Sequence, residues 1–225
     1  MTAPSNAAVA NLVLALLSTN RYAVRDLVVF GENCDESVQF LNPVHRRKRY
    51  DGFLRSYLAT HDETQKLKKL NIISSWLHLG NDKRSLPEVA ALCESDNASL
   101  AFARFVFCTL NTAGSRALRK AAQARFNLLI LDEAGQCTEA EFYIATTFPG
   151  VKRIVVVGDP MQLPATVVSQ TCRDAGFGES FLAHLMRYHG ERVHLLNTQY
   201  RMHPKILQFS NESFYSKRVL SRIAR

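Results

Sequence analysis

The side chains best suited to chemistry are two adjacent carboxylates, Asp132 and Glu133, set directly behind the apolar run Leu128-Leu129-Ile130-Leu131. A continuous apolar run of that length reads as a strand covered on both faces. In open parallel α/β sheets the carboxyl ends of the strands border the ligand crevice. A carboxylate placed there can hold Mg²⁺, usually through water, while its neighbour orients or deprotonates an attacking water. Asp132 fits the first role and Glu133 the second. The plainer alternative is a strand ending in a solvated acidic turn, and the pair alone leaves both readings open.

A second strand end has the same build. Ile154-Val155-Val156-Val157 runs into Gly158-Asp159-Pro160-Met161-Gln162. Gly158 and Pro160 are ordinary turn residues. Gln162 offers a carboxamide that can hydrogen-bond a terminal phosphate or the attacking water. The third group is Arg201, in Gln199-Tyr200-Arg201-Met202-His203-Pro204. An arginine just ahead of a helix can reach a phosphate across a cleft and stabilise transferring charge. Taken alone, Arg201 reads as a surface arginine. His203 reads as a structural helix-start residue and not as a general base.

The elements that must position these groups alternate as strand and helix, the mark of a parallel α/β sheet. Thr2-Ala3 reads as a strand end, and Ser5 as the N-cap of a helix whose Val9, Leu12, Val13 and Leu16 recur at helical spacing. Leu27 to Phe30, Phe105 to Thr109, Leu128 to Leu131, Ile154 to Val157 and Val193 to Leu196 read as strands. Ser180 to Tyr188 reads as a helix, and Pro204 opens another at a favourable first-turn position. Between about Asn42 and Asn97 the character changes. Leu67, Leu70, Ile73 and Leu77 are spaced like a helix face, and Arg46 to Arg49 form a basic cluster. That cluster reads as a solvated face, with a nucleic-acid path as the alternative. Trp76 and Tyr57 read as core of this insertion.

Lysine and arginine number 28 against 20 aspartates and glutamates, a formal net charge of +8. Such an excess favours polyanion partners. The five cysteines are odd in number, and none sits in a C-x-x-C pair. This points to a reducing, intracellular compartment, nucleus or cytoplasm, and away from secretion, a disulfide framework or a zinc site. The longest apolar runs stop short of a membrane span, so no membrane partner is expected.

The order DEAGQ, GDPMQLPA, QYRMHP resembles helicase superfamily 1, in its Upf-type and senataxin-like branch (the DNA2/NAM7-like helicases). The opening TAPSNAAVANL resembles that branch's motif Ia, and CTLNTAGS, from Cys108 to Ser115, resembles the motif that follows its insertion. The resemblance implies an ATP-dependent RNA or DNA helicase with an α/β, RecA-like P-loop NTPase fold. Residues 1–41 would begin the first RecA-like domain, 42–100 would be a mainly helical insertion, and 101–225 would complete the domain, with a second RecA-like domain beyond. Asp132 and Glu133 would bind Mg-ATP and catalyse hydrolysis. Gln162 would sense the γ-phosphate beside the Gly158 turn, and Arg201 would contact it. Ser5 and Asn6, at a helix start, would meet the backbone of a single strand of RNA or DNA, as suits phosphate at a helix N-terminus. Thr109 would make a second backbone contact, with a buried strand hydroxyl as the alternative.

Two departures stand out. Ala10 replaces the aspartate usual in motif Ia. Nowhere in the 225 residues is there a G-x-x-x-x-G-K-[S/T] loop to cradle the β- and γ-phosphates. The expectation is therefore a motor segment truncated before its P-loop and inactive alone. The rival expectations are a non-catalytic nucleic-acid-binding or scaffold remnant, and a different nucleotide hydrolase with a RecA-like core.

Overall fold

A computed structural model of the chain describes residues 1–22, 26–45, 62, 100, 103–122 and 126–222. Five strands form one sheet. They are β1 (Thr2–Ala3), β2 (Leu27–Val29), β3 (Phe105–Thr109), β4 (Leu128–Leu131) and β5 (Arg153–Val156), in the spatial order β2-β3-β1-β4-β5. Every pairing is parallel. The parallel α/β sheet expected from the alternating pattern is thus the one observed, and it fits the RecA-like fold that the resemblance implies.

Side-chain alternation explains why these runs form two-sided strands. Leu27, Val29 and Phe107 point to one face, where Ala3, Val9 and Val13 of β1 and α1 (Asn6–Ser18) close a core. Val28, Val106 and Cys108 point to the other. There they meet Leu110 of α2 (Leu110–Ala113), Leu118 of α3 (Arg116–Ala122) and Phe142 of α4 (Glu139–Thr146). Successive strand residues face opposite sides, so a continuous apolar run fills two cores at once. Phe107 is fully buried between β2 and β1.

Two expectations are corrected. β5 is not covered on both faces: Ile154 is 43% and Val155 45% exposed. Among the described residues β5 pairs only with β4, so its outer edge has no ladder. Val193 to Leu196 is not a strand; Leu196 is 84% exposed. Apolar composition makes a strand only where a neighbour supplies hydrogen bonds. Here that neighbour exists slightly later, where β6 (Thr198–Gln199) pairs with β7 (Leu220–Ser221). The remaining helices are α5 (Gln170–Asp174), α6 (Phe181–Tyr188) and α7 (Pro204–Phe214).

The basic cluster Arg46 to Arg49, the helical spacing from Leu67 to Leu77, Tyr57 and Trp76 lie outside the described residues. Of the expected insertion, the described part shows its entry. The buried Asn42 accepts the amides of Val44 and His45 through Oδ1 and donates to the Gly31 carbonyl. Among the described residues no helix is long and apolar enough to cross a membrane.

The uneven cover of the sheet sets its local stability. Amides of β3, bonded on both sides, are expected to exchange with deuterium far more slowly than those of β5. Peptide-level hydrogen exchange measures this. Equal protection of the two strands would contradict the strand order.

Candidate nucleotide and strand site

All the site residues singled out in the sequence except Arg201 fall on one edge of the sheet, at the carboxyl ends of adjacent strands. The register fixes their order. Ala3 is level with Thr109, Thr2 with Leu131, and Leu131 with Val156. Along that edge come Thr109, then Ser5 and Asn6, then Asp132 and Glu133, then Gly158 to Gln162.

The Asp132–Glu133 turn is tightly built. The Asp132 amide donates to the Thr2 carbonyl at 3.0 Å, which ties the end of β4 to β1. Asp132 Oδ1 accepts the Glu133 amide at 3.0 Å. Glu133 sits in the left-handed region at φ 54°, ψ 37°, and opens a 3₁₀ turn over Ala134–Gln136. A non-glycine residue there costs about 1–3 kcal/mol, and such strain gathers at working sites. The chain then enters α4 through a capping box. Thr138 Oγ1 accepts the Glu141 amide at 3.3 Å, and Glu141 Oε2 accepts the Thr138 amide at 2.9 Å. The T-x-x-E spacing was present in the sequence as the sign of this cap.

The second turn packs against the first, backbone to backbone. The Ala134 amide donates to the Val157 carbonyl at 2.9 Å. A Cβ on Gly135 would lie 2.4 Å from the Asp159 carbonyl oxygen. A Cβ on Gly158 would lie 2.7 Å from the Ala134 nitrogen. Both glycines are therefore required by close approach. The sequence reads Gly158 as a turn former within the nucleotide-binding set, and gives Gly135 no role of its own. Cys137, buried behind this turn, has its thiol pushed up to about 12, first by burial and then by the nearby Glu141 carboxylate. It is an inert packing thiol.

Asp159 gathers the second turn. Its Oδ1 accepts the Met161 amide at 3.0 Å, and its Oδ2 accepts Gln162 Nε2 at 2.9 Å and the Tyr215 hydroxyl at 2.6 Å. Burial works against its charge, but these three donors win and hold the carboxyl below its ordinary range. A depressed folded pKa stabilises the fold at pH above the unfolded value, and that contribution is lost as pH falls through the folded value. The reciprocal effect pushes the Tyr215 phenol up to about 12, chiefly through its hydrogen bond to Asp159. Asp159→Asn is expected to bring that phenol down toward its ordinary value of about 10. Titration of ring-labelled tyrosine by NMR reads the change. A Tyr215 that titrates alike in both proteins would refute the contact.

A pair of family models described as AAA domain match the chain, one at residues 61–170 and the other at 177–224. It is 33% identical over 217 residues to Probable helicase MAGATAMA 3 of Arabidopsis thaliana, covering 95% of this chain and 23% of that protein. Regulator of nonsense transcripts 1 homolog of Drosophila melanogaster is 32% identical over 215 residues, covering 95% of this chain and 17% of its own length. Helicase SEN1 of Saccharomyces cerevisiae is 27% identical over 230 residues, at 95% and 10%. The chain belongs to superfamily 1 helicases, in the Upf-type and senataxin-like branch. It spans 10–23% of the length of these three relatives.

Within that helicase frame the remaining residues can be placed. Ser5 is the N-cap of α1, and its hydroxyl accepts the Ala8 amide at 3.2 Å. Asn6 follows, exposed. Thr109 is neither a buried strand hydroxyl nor a free one. It caps α2, accepting the Thr112 amide at 3.3 Å and sharing a hydrogen with Thr112 Oγ1 at 2.9 Å. A threonine at the last position of a strand, followed by a helix, carries that capping signal. Ala10, in place of the motif Ia aspartate, is buried in the core.

Arg201 is exposed, in the loop ahead of α7. Among the described residues no hydrogen bond or ion pair joins it to Asp132, Glu133 or Gln162. The helicase motif around it is instead organised by Gln199, for which sequence reasoning had no role. Gln199 Oε1 accepts the amides of Arg201 at 2.8 Å and Met202 at 2.6 Å, and Nε2 donates to the Met202 carbonyl and Ser221 Oγ, each at 2.6 Å. His203 caps α7, its Nδ1 accepting the Lys205 amide at 3.3 Å, as its structural reading required.

The donor set suits magnesium. Among the described residues there is no group of three or more His, Cys, Asp or Glu that could hold a metal by itself. Mg²⁺ prefers one or two carboxylates completed by phosphate oxygens and water. Asp132, half-buried with Oδ1 taken by the Glu133 amide, keeps Oδ2 for such a cation.

Proposed function

We propose that this chain supplies the hydrolytic face of an ATP-driven motor that moves along single-stranded RNA or DNA. The observation that carries the reading is the fusion of two motif turns into one platform. Gly135 and Gly158 let the turns touch, so Asp132, Glu133 and Gln162 are held at neighbouring strand ends. Asp132 would hold Mg²⁺, which neutralises charge on the phosphates when bound. Glu133, exposed beside it, accepts a proton from the attacking water or orients it. Gln162 faces the same water and the terminal phosphate. Arg201 reaches the phosphate from its exposed loop, with a second RecA-like domain closing the cleft.

The strand path lies on the same edge, at the ends of β1 and β3, with β1 directly beside β4. The Ser5–Asn6 start of α1 presents backbone amides and two polar side chains to phosphate. Thr109 and its cap lie beside it. Such contacts are to backbone phosphate, so affinity is independent of sequence and falls linearly in logarithm with salt. The compartment would be intracellular, nucleus or cytoplasm. RNA and DNA remain equivalent on these contacts.

The chain carries no P-loop lysine, so by this reading the 225 residues alone turn over no ATP. Fluorescence anisotropy with a labelled single-stranded oligonucleotide tests the strand face. Binding is expected to weaken steeply with salt and to drop when Ser5 and Asn6 are both alanine. Loss of the Ser5 cap by itself costs about 1 kcal/mol of stability, so the doubly substituted protein is compared at a temperature where it stays folded. Salt-independent binding, or binding untouched by the double substitution, would refute the strand path.

A further inference from the structure

We propose that Tyr215 is a positioning residue that fixes Gln162 through Asp159 and ties it to the loop carrying Arg201. This rests on the reading above that Gln162 and Arg201 both serve the terminal phosphate.

The link runs from the Gln162 carboxamide to the Arg201 loop. Tyr215 lies 56 residues from Asp159 and donates its hydroxyl to Oδ2 at 2.6 Å. The same oxygen accepts Gln162 Nε2 at 2.9 Å. An ionised carboxylate only accepts, so the amide must turn its NH₂ toward Asp159. Gln162 is therefore left with its carbonyl oxygen and one N–H directed elsewhere. The carbonyl can accept from a water, and the N–H can donate to a phosphate oxygen. Without Asp159 the two ends of the amide would be interchangeable.

The other end of the link is equally fixed. Tyr215 terminates α7, and the next two residues, Ser216 and Lys217, adopt left-handed φ of 50° and 60°. These turn the chain back across the helix end. Asn211 then clamps the returning strand, accepting the Val219 amide at 3.0 Å and donating to the Val219 carbonyl at 2.8 Å. That strand is β7, which pairs with β6. Ser221 of β7 bonds Gln199 of β6, the residue that holds the Arg201 amide. A displacement of the Arg201 loop has a path to the Gln162 carboxamide through these hydrogen bonds and the short backbone stretches that join them. Removing the Tyr215 hydroxyl cuts it at one atom.

The test is side-chain amide NMR on the full 225-residue chain. In the wild-type protein the Gln162 NH₂ pair is expected to be shifted and slow to exchange, unlike an exposed glutamine. Tyr215→Phe keeps the ring and removes the hydroxyl. It is expected to move the Gln162 pair toward the exposed position while the backbone amides of β4 stay unchanged. Asp159→Asn is expected to move the pair further. Tyr143→Phe, which breaks a surface contact to Glu139, serves as the control and is expected to leave it in place. A Gln162 pair that is already averaged in the wild type overturns the proposal even if both Asp159 and Tyr215 variants fail to fold. So does a pair that ignores Tyr215→Phe. Failure of the catalytic reading registers separately, in the turnover of a Glu133 variant, and leaves these resonances untouched.

Discussion

Gly135→Ala is expected to destabilise the chain by about 1–3 kcal/mol, the usual range for forcing an extra carbon into a packed site. The new methyl would stand 2.4 Å from the Asp159 carbonyl oxygen and 3.0 Å from its carbon. Both are backbone atoms in a turn already pinned by Met161 and Gln162, so neither can swing aside as a side chain tip would. The two motif turns must part. Gly135 is not among the residues with positive φ, so the strain comes from space alone. A thermal melt reads the loss as several degrees of Tm for a chain of this size. An unchanged melt would show that the turns are not in contact. Gly158→Ala clashes from the other side, at 2.7 Å from the Ala134 nitrogen, and should fall in the same range.

That pair of glycines also shows where sequence reasoning stops. A positive φ or a turn dipeptide can be guessed from local composition. A demand set by another segment's backbone cannot, because Gly135 and Asp159 meet only after β4 and β5 pair. The strand ends themselves were legible, since β3 is an apolar run whose alternate residues fill two cores, and β4 is one whose Leu129 and Leu131 fill one of them. β5 was legible as a strand but not as an open edge. Its apolar run speaks for two-sided cover, which the described residues do not supply. Val193 to Leu196 misled for a related reason, because an apolar run carries no record of whether a neighbour will pair with it.

The site was legible as far as its residue types go. Asp132, Glu133, Gln162 and Arg201 were named from order and spacing, and the first three come to adjacent strand ends. What was hidden is the scaffolding: Thr109 as a cap, Gln199 as the staple of the Arg201 loop, and Asp159 with Tyr215 as the mount of Gln162. These are side chains whose partners lie elsewhere in the fold, up to 56 residues away.

Glu133→Gln carries the largest expected functional effect. The substitution keeps size and hydrogen-bonding reach but removes the ability to accept a proton. Proton transfer by a positioned carboxylate is worth roughly 10²–10⁴-fold in rate, so turnover of a motor built on this chain should fall by that factor. Nucleotide binding should persist, because Asp132 and Gln162 are unaltered. The left-handed turn at Glu133 is a backbone feature that glutamine adopts as readily as glutamate, so the fold should be kept.

That the carboxyl edge of β4 and β5 is the hydrolytic face of an ATP-driven motor is tested in a fusion that joins this chain to a P-loop segment and a second RecA-like domain. The measurement is single-strand-stimulated ATP turnover, with nucleotide affinity measured alongside, for the parent and for Glu133→Gln. The expected result is a kcat lower by roughly 10²–10⁴-fold with affinity for ATP retained. Turnover that survives Glu133→Gln at the parent rate would contradict it.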